Sequence, residues 1–96
     1  MLFIIETKDR HGALDLRLKT RDEHLKYLDA LGEKLVLAGP FLDENEKPCG
    51  SLIVVKVENI AQAKEIAKND PYQLAGLFES SSTRAWLWAI NKPEGL

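Results

Sequence analysis

Three stretches of this chain are apolar at consecutive positions instead of alternate ones: Leu2-Phe3-Ile4-Ile5, Leu52-Ile53-Val54-Val55 and Ala85-Trp86-Leu87-Trp88-Ala89-Ile90. Their length and their Ile, Val and Trp content read as strands. Neighbours along a strand face opposite ways. Leu2 and Ile4 therefore oppose Phe3 and Ile5; Leu52 and Val54 oppose Ile53, Val55 and Val57; Trp86, Trp88 and Ile90 oppose Ala85, Leu87 and Ala89. An antiparallel sheet with one wet face alternates apolar with polar residues. These strands are apolar front and back, so the fold must supply two covers.

The rest of the chain supplies one of them. After a polar connection from Lys8 to Lys19, Thr20-Arg21-Asp22-Glu23 has the form of a capping box, which predicts a helix to about Gly32 with Leu25, Leu28 and Leu31 as its apolar stripe. Leu35 to Leu42 reads as a strand interrupted by Gly39-Pro40, hence bulged or at a sheet edge. The polar turn from Asp43 to Gly50 joins it to Ser51–Val57 as a hairpin. Asn59, with Gln62 three residues on, opens a second helix whose face is Ile60, Ala63, Ile66 and Ala67. That helix ends near Asn69, because Pro71 disfavours helical backbone at Asp70. A last strand is expected over Ser80 to Ile90. The order β-α-β-β-α-β is the split βαβ pattern of a ferredoxin-like α+β fold: a four-stranded antiparallel sheet with two helices on one face. The second face then calls for a second copy in a two-fold homodimer; the rival cover is a hydrophobic ligand or a different partner.

Ninety-six residues fit a single domain over residues 1–96, and association would help so short a chain to stay folded. Acidic and basic residues are interspersed, with a formal net charge of −2, and no basic patch exists to neutralise a row of phosphates; nucleic acid is not an expected partner. The opening apolar run is too short for a signal-peptide core, and no stretch approaches the roughly 20 apolar residues of a membrane helix. A cytoplasmic location follows, and the single Cys49, unable to form an internal disulfide, agrees with a reducing compartment.

Few residues carry chemistry. His24 stands four and seven residues before Leu28 and Leu31, on or beside the buried stripe; by spacing alone it reads as a half-buried histidine bonded to backbone. Asp70 reads alone as a turn former or as the cap of the next segment. The fold, however, can bring the start of helix one to the end of helix two. A carboxylate there would fix the imidazole tautomer and leave the other ring nitrogen to move a proton near neutral pH. Arg17 and Arg21 flank the expected helix entrance, where they are either solvated surface residues or holders of an anionic ligand. His11 reads as solvated. His11, His24 and Cys49 have no metal-ligand spacing, no G-x-S-x-G turn frames Ser80-Ser81-Ser82-Thr83, and Gly39 and Gly50 make no phosphate-cradling loop. Trp86 and Trp88 share a strand face and read as core or interface.

Gly12-Ala13-Leu14-Asp15-Leu16-Arg17, then Arg21-x-x-His24-Leu25-x-Tyr27-Leu28, Ala38-Gly39-Pro40, Gly50-Ser51-Leu52, Asp70-Pro71-Tyr72 and Ala75-Gly76-Leu77-Phe78 together resemble the YCII-related (YciI-like) family over nearly the whole chain. The resemblance implies a dimeric α/β barrel, with a His and an Asp forming an active site in a cleft near the dimer interface. Those positions correspond here to His24 and Asp70, with Arg17, Arg21, Ser51 and Tyr72 as pocket-lining, substrate-binding candidates. The sequence departs from the pattern at Asp9-Arg10-His11-Gly12, which lacks the proline of many members, and at Asp22, where proline is common. A few relatives act on small cyclic or halogenated aromatic compounds.

The leading expectation is a cofactor-independent, metal-free enzyme in which His24 is the general acid–base and Asp70 orients it, working on a small carbonyl, phenolic or halogenated cyclic compound. The alternatives are a non-catalytic module that binds a small metabolite in the same cleft, and an accessory domain that docks on another protein.

Overall fold

Strand β1 (Leu2–Asp9) is the spine of the sheet in the computed structural model, which describes residues 1–96. It pairs antiparallel with β3 (Pro48–Lys56) on one side and β4 (Phe78–Trp86) on the other, and β2 (Leu35–Leu42) closes the order β2-β3-β1-β4. Helices α1 (Leu14–Ala30), α2 (Ile60–Lys68) and the single-turn α3 (Pro71–Leu74) complete a ferredoxin-like α+β fold of βαββαβ type. Phe3, Ile5, Ile53, Val55 and Val57 form the sheet side of one core, closed by Leu28 of α1 and Ala63 of α2. The expected first cover is thus in place.

Helix α1 begins seven residues earlier than the capping box indicated, with Ala13 and not Thr20 at its N-cap position. Gly12, at φ +74°, turns the chain, and Ala13 to Lys19 are mostly good helix formers that continue from it without a side-chain cap. Thr20 is an interior residue whose hydroxyl donates to the Leu16 carbonyl at 2.8 Å. The buried stripe is also different: Arg17, Thr20, His24 and Leu28 are buried, Leu31 is half-buried, and Leu25 faces out. Gly32, left-handed at φ +58°, follows the helix end at Leu31, where the sequence placed its stop.

The second helix starts as expected, with the Asn59 side chain accepting from the Gln62 amide at 3.0 Å. Gln62 answers to Glu58 N instead of to Asn59, one residue off the reciprocal box. The last strand stops at Trp86 and does not reach Ile90. Trp86 pairs with Leu2, where β1 begins, so residues beyond it have no neighbour to bond. Proline 40 sits in edge strand β2, where a missing amide costs little, and β2 carries register shifts near both ends.

The open sheet face is apolar over only part of its width. Leu37, Phe41 and Trp86 are exposed on it, as are Leu87 and Ile90 beyond the sheet. Toward the other end of β1 and β4 the face is polar, through Glu6, Lys8, Ser80, Ser82 and Arg84, with Glu6 and Arg84 paired at 2.6 Å. The expectation that the first, third and last strands are apolar front and back holds for β3 and for the start of β1, and fails beyond Ile4 in β1 and along β4. No helix is long and apolar enough to cross a membrane.

Candidate functional site

The site is built on the polar half of α1. Seven residues separate Arg17 from His24, two helical turns, so both project from one face toward the sheet. His24 is therefore mid-helix, not near the helix start. Asp70 follows α2 and caps α3: its Oδ1 accepts from the Tyr72 amide at 2.9 Å. Pro71 at the first helical position suits that turn, since no amide is wanted there.

The same Oδ1 lies 2.9 Å from His24 Nδ1, with both side chains under a tenth exposed. Because that oxygen accepts, the hydrogen bond assigns a proton to Nδ1, and in the neutral ring Nε2 then keeps its lone pair. Nε2 has no protein partner. Tyr72, 1% exposed, stacks on the imidazole with ring centroids 4.0 Å apart and planes 17° off parallel. The same phenol ring lies 4.6 Å from the Arg17 guanidinium carbon, and Phe78 meets it edge-on at 6.1 Å. Stacking and hydrogen bonding together fix the imidazole plane.

Arg17 is buried as well. Nε donates to Asp9 Oδ2 at 2.7 Å and Nη2 to Asp9 Oδ1 at 3.3 Å, a bidentate clamp, while Nη2 also donates to Ser51 Oγ at 2.7 Å. Ser51 is positioned by β3, which passes close to β1 at the preceding residue: a Cβ on Gly50 would stand 2.3 Å from the Thr7 carbonyl oxygen. Thr7 Oγ1, on the ladder between Ser51 and Ser81, is the one fully enclosed polar side-chain atom left without a partner.

Arg17, Arg21, His24 and Ser51 line a cavity of about 270 Å³ between α1 and the β2–β3 hairpin, with Leu18, Leu25, Leu28, Pro40 and Ile53 as its apolar wall. Of the residues singled out from sequence, the structure brings His24, Asp70, Arg17, Ser51 and Tyr72 into one connected cluster. Arg21 reaches the cavity but bonds to none of them, and His11 is exposed and apart. The arginines do not flank a helix entrance: both are within α1, and Arg17 is not a solvated residue. Asp9 was missed. Its signal was the strand phase, since Asp9 continues the Phe3, Ile5, Thr7 series that faces the helices, and a carboxylate on that face needs a cation.

Burial raises the Tyr72 phenol above its ordinary value, with Arg17 and Arg21 pulling it down and Asp70 and Asp9 adding to the rise. Tyr27, whose hydroxyl donates to the Ile66 carbonyl at 2.8 Å, is raised by burial, then by Asp70 and Glu65. No three His, Cys, Asp or Glu side chains cluster as a metal cage.

The profile of the YCII-related domain matches residues 1–87. Protein YciI of Escherichia coli is 33% identical over 92 residues, which cover 88% of this chain and 94% of that protein. Among solved structures, the 5-chloro-2-hydroxyhydroquinone dehydrochlorinase TftG of Burkholderia phenoliruptrix, in complex with 2,5-dihydroxybenzoquinone, superposes with a TM-score of 0.83 at 33% identity, over 91% of this chain and 94% of TftG. Protein Atu4242 of Agrobacterium tumefaciens shares the fold at a TM-score of 0.57 and 18% identity, over 97% of this chain and 98% of its own.

Proposed function

The chain belongs to the YCII-related family, and from that premise we propose that the cavity beside His24 is the active site of a cofactor-independent proton-transfer enzyme. His24 acts as general acid–base through Nε2, and Asp70 orients the ring and stabilises its protonated form. The observation that carries this reading is the 2.9 Å contact at Nδ1, which leaves Nε2 without a protein partner on a residue that lines the cavity. The substrate is a small carbonyl, phenolic or halogenated cyclic compound. TftG, a dehydrochlorinase of a chlorinated hydroquinone with one-third identity over most of both chains, supports that class. A proton taken from a ring hydroxyl or carbon by Nε2 and returned to another ring atom gives isomerisation; the same proton passed to solvent while chloride leaves the ring gives elimination.

The test is incorporation of solvent deuterium into single-ring hydroxyquinones and chlorinated phenols, followed by NMR together with chloride release. Wild-type protein should accelerate one or both, with a pH–rate profile governed by a group near neutrality. An undiminished rate in His24→Gln, or a flat profile, sinks the reading. Binding without turnover by any compound would make the cavity a metabolite-binding site instead.

Assembly belongs to the same proposal. A second copy covers the apolar part of the open sheet face, where Leu37, Phe41 and Trp86 stand exposed. Light scattering that returned a folded single chain at micromolar concentration would refute the dimer. With one half-buried cysteine and no disulfide, the protein suits the cytoplasm.

A further inference from the structure

The polar side chains that line the His24 cavity are two guanidinium groups, one hydroxyl and the imidazole, and no carboxylate reaches the wall. Arg17 has five N–H donors. Its Nε proton goes to Asp9, and the two on Nη2 go to Asp9 and Ser51, which leaves both Nη1 protons unpartnered on a side chain 6% exposed. Ser51, 3% exposed, accepts from Arg17 and has no acceptor for its own proton. Apart from the His24 ring, no side chain on the cavity wall offers these donors an acceptor.

The charges can be counted. Asp9 cancels Arg17, and Asp70 offsets the imidazolium that His24 becomes when it takes a proton. Arg21, one turn after Arg17, makes no ion pair or hydrogen bond and is the unmatched cation of the site. Building on the acid–base reading above, we propose that the cavity selects a singly charged, single-ring oxyanion: an ionised phenol, enol or hydroxyquinone. Its charged oxygen sits on Arg17 Nη1 and the Ser51 hydroxyl, and its ring lies against Leu25, Leu28 and Ile53 with Arg21 at the rim. An apolar cavity of about 150 Å³ accepts benzene, so 270 Å³ takes one substituted ring and not two. The Asp9 clamp holds the guanidinium in place before any ligand arrives, so the ligand does not have to order it.

Because Arg21 contributes nothing to the fold's hydrogen bonding, Arg21→Gln tests the charge without endangering the structure. The probes are 4-nitrophenol at a pH above its ionisation and nitrobenzene, its uncharged ring counterpart, titrated into the full-length protein by calorimetry. The expected result is phenolate binding at least about tenfold tighter than nitrobenzene, the gain of a charge-assisted bond. Arg21→Gln and Ser51→Ala should each remove about three- to tenfold of that preference. Equal affinity for the two probes, no binding at millimolar probe, or a preference untouched by both Arg21→Gln and Ser51→Ala overturns the assignment. The acid–base reading fails separately, through undiminished exchange in His24→Gln, because the titration asks nothing of Nε2.

Discussion

The two halves of α1 bury their inward faces by opposite means. From Leu28 to Leu31 the helix rests on Phe3, Ile5 and Val55, a contact that tolerates adjustment because apolar atoms need only proximity. From Arg17 to His24 it rests on Asp9, Ser51, Asp70 and Tyr72, groups that need partners at fixed distances and angles. The first half holds the helix to the sheet. The second spends part of that stability on a polar arrangement directed at a cavity.

The contrast can be broken hardest at Arg17. Arg17→Ala leaves Asp9 buried without its cation and should cost about 3–5 kcal/mol in chemical denaturation. Replacing the pair together, as Asp9→Leu with Arg17→Met, should recover most of that loss while abolishing anion binding. Failure to recover would mean that the clamp is structural above all. At the apolar end, Leu28→Ala should cost about 2–4 kcal/mol through the cavity it leaves. Asp70→Ala removes the α3 cap along with the partner of His24 and should cost about 1–2 kcal/mol; hydrogen exchange at Tyr72 would report the freed turn.

The smallest effect is alkaline. Both tyrosines of the chain, Tyr27 and Tyr72, have phenols raised above 10.0 by burial. The folded state therefore keeps protons that the unfolded chain releases near 10. Their contribution to stability is complete below that pH and is lost as pH rises through the raised values. Tyrosinate absorbance should lag behind the ordinary curve until the protein unfolds. Tyr72→Phe should remove one of the two delayed steps and change stability by under about 1 kcal/mol, the phenol hydroxyl having no protein partner.

Sequence patterns revealed the element order, the hairpin, the stop at Gly32 and the Asn59 cap, because each rests on local chemistry within a few residues. The α1 start was hidden since Thr-x-x-Glu fits a helix interior as well as a helix beginning, and only the Thr20–Leu16 bond distinguishes them. The end of β4 depended on where β1 starts, a fact about pairing and not about Trp88 or Ile90. His24 and Asp70 could be proposed as neighbours from the fold, 46 residues apart in sequence. Tyr72 stacking on His24 and the Asp9 clamp on Arg17 were not visible, because the one arises from a helical turn that no periodicity announced and the other from carrying a strand's phase past its apolar run.

One atom, Asp70 Oδ1, receives both the Tyr72 amide and the His24 ring nitrogen. An asparagine at that position has a carbonyl oxygen able to receive both as well, so it subtracts charge while retaining shape; alanine subtracts both at once. Comparing the two separates what negative electricity does for the imidazole from what mere anchorage does. It also means that the ring's aim is inherited from the main chain, so a ligand that tugs on the imidazole is pulling on the first turn of α3.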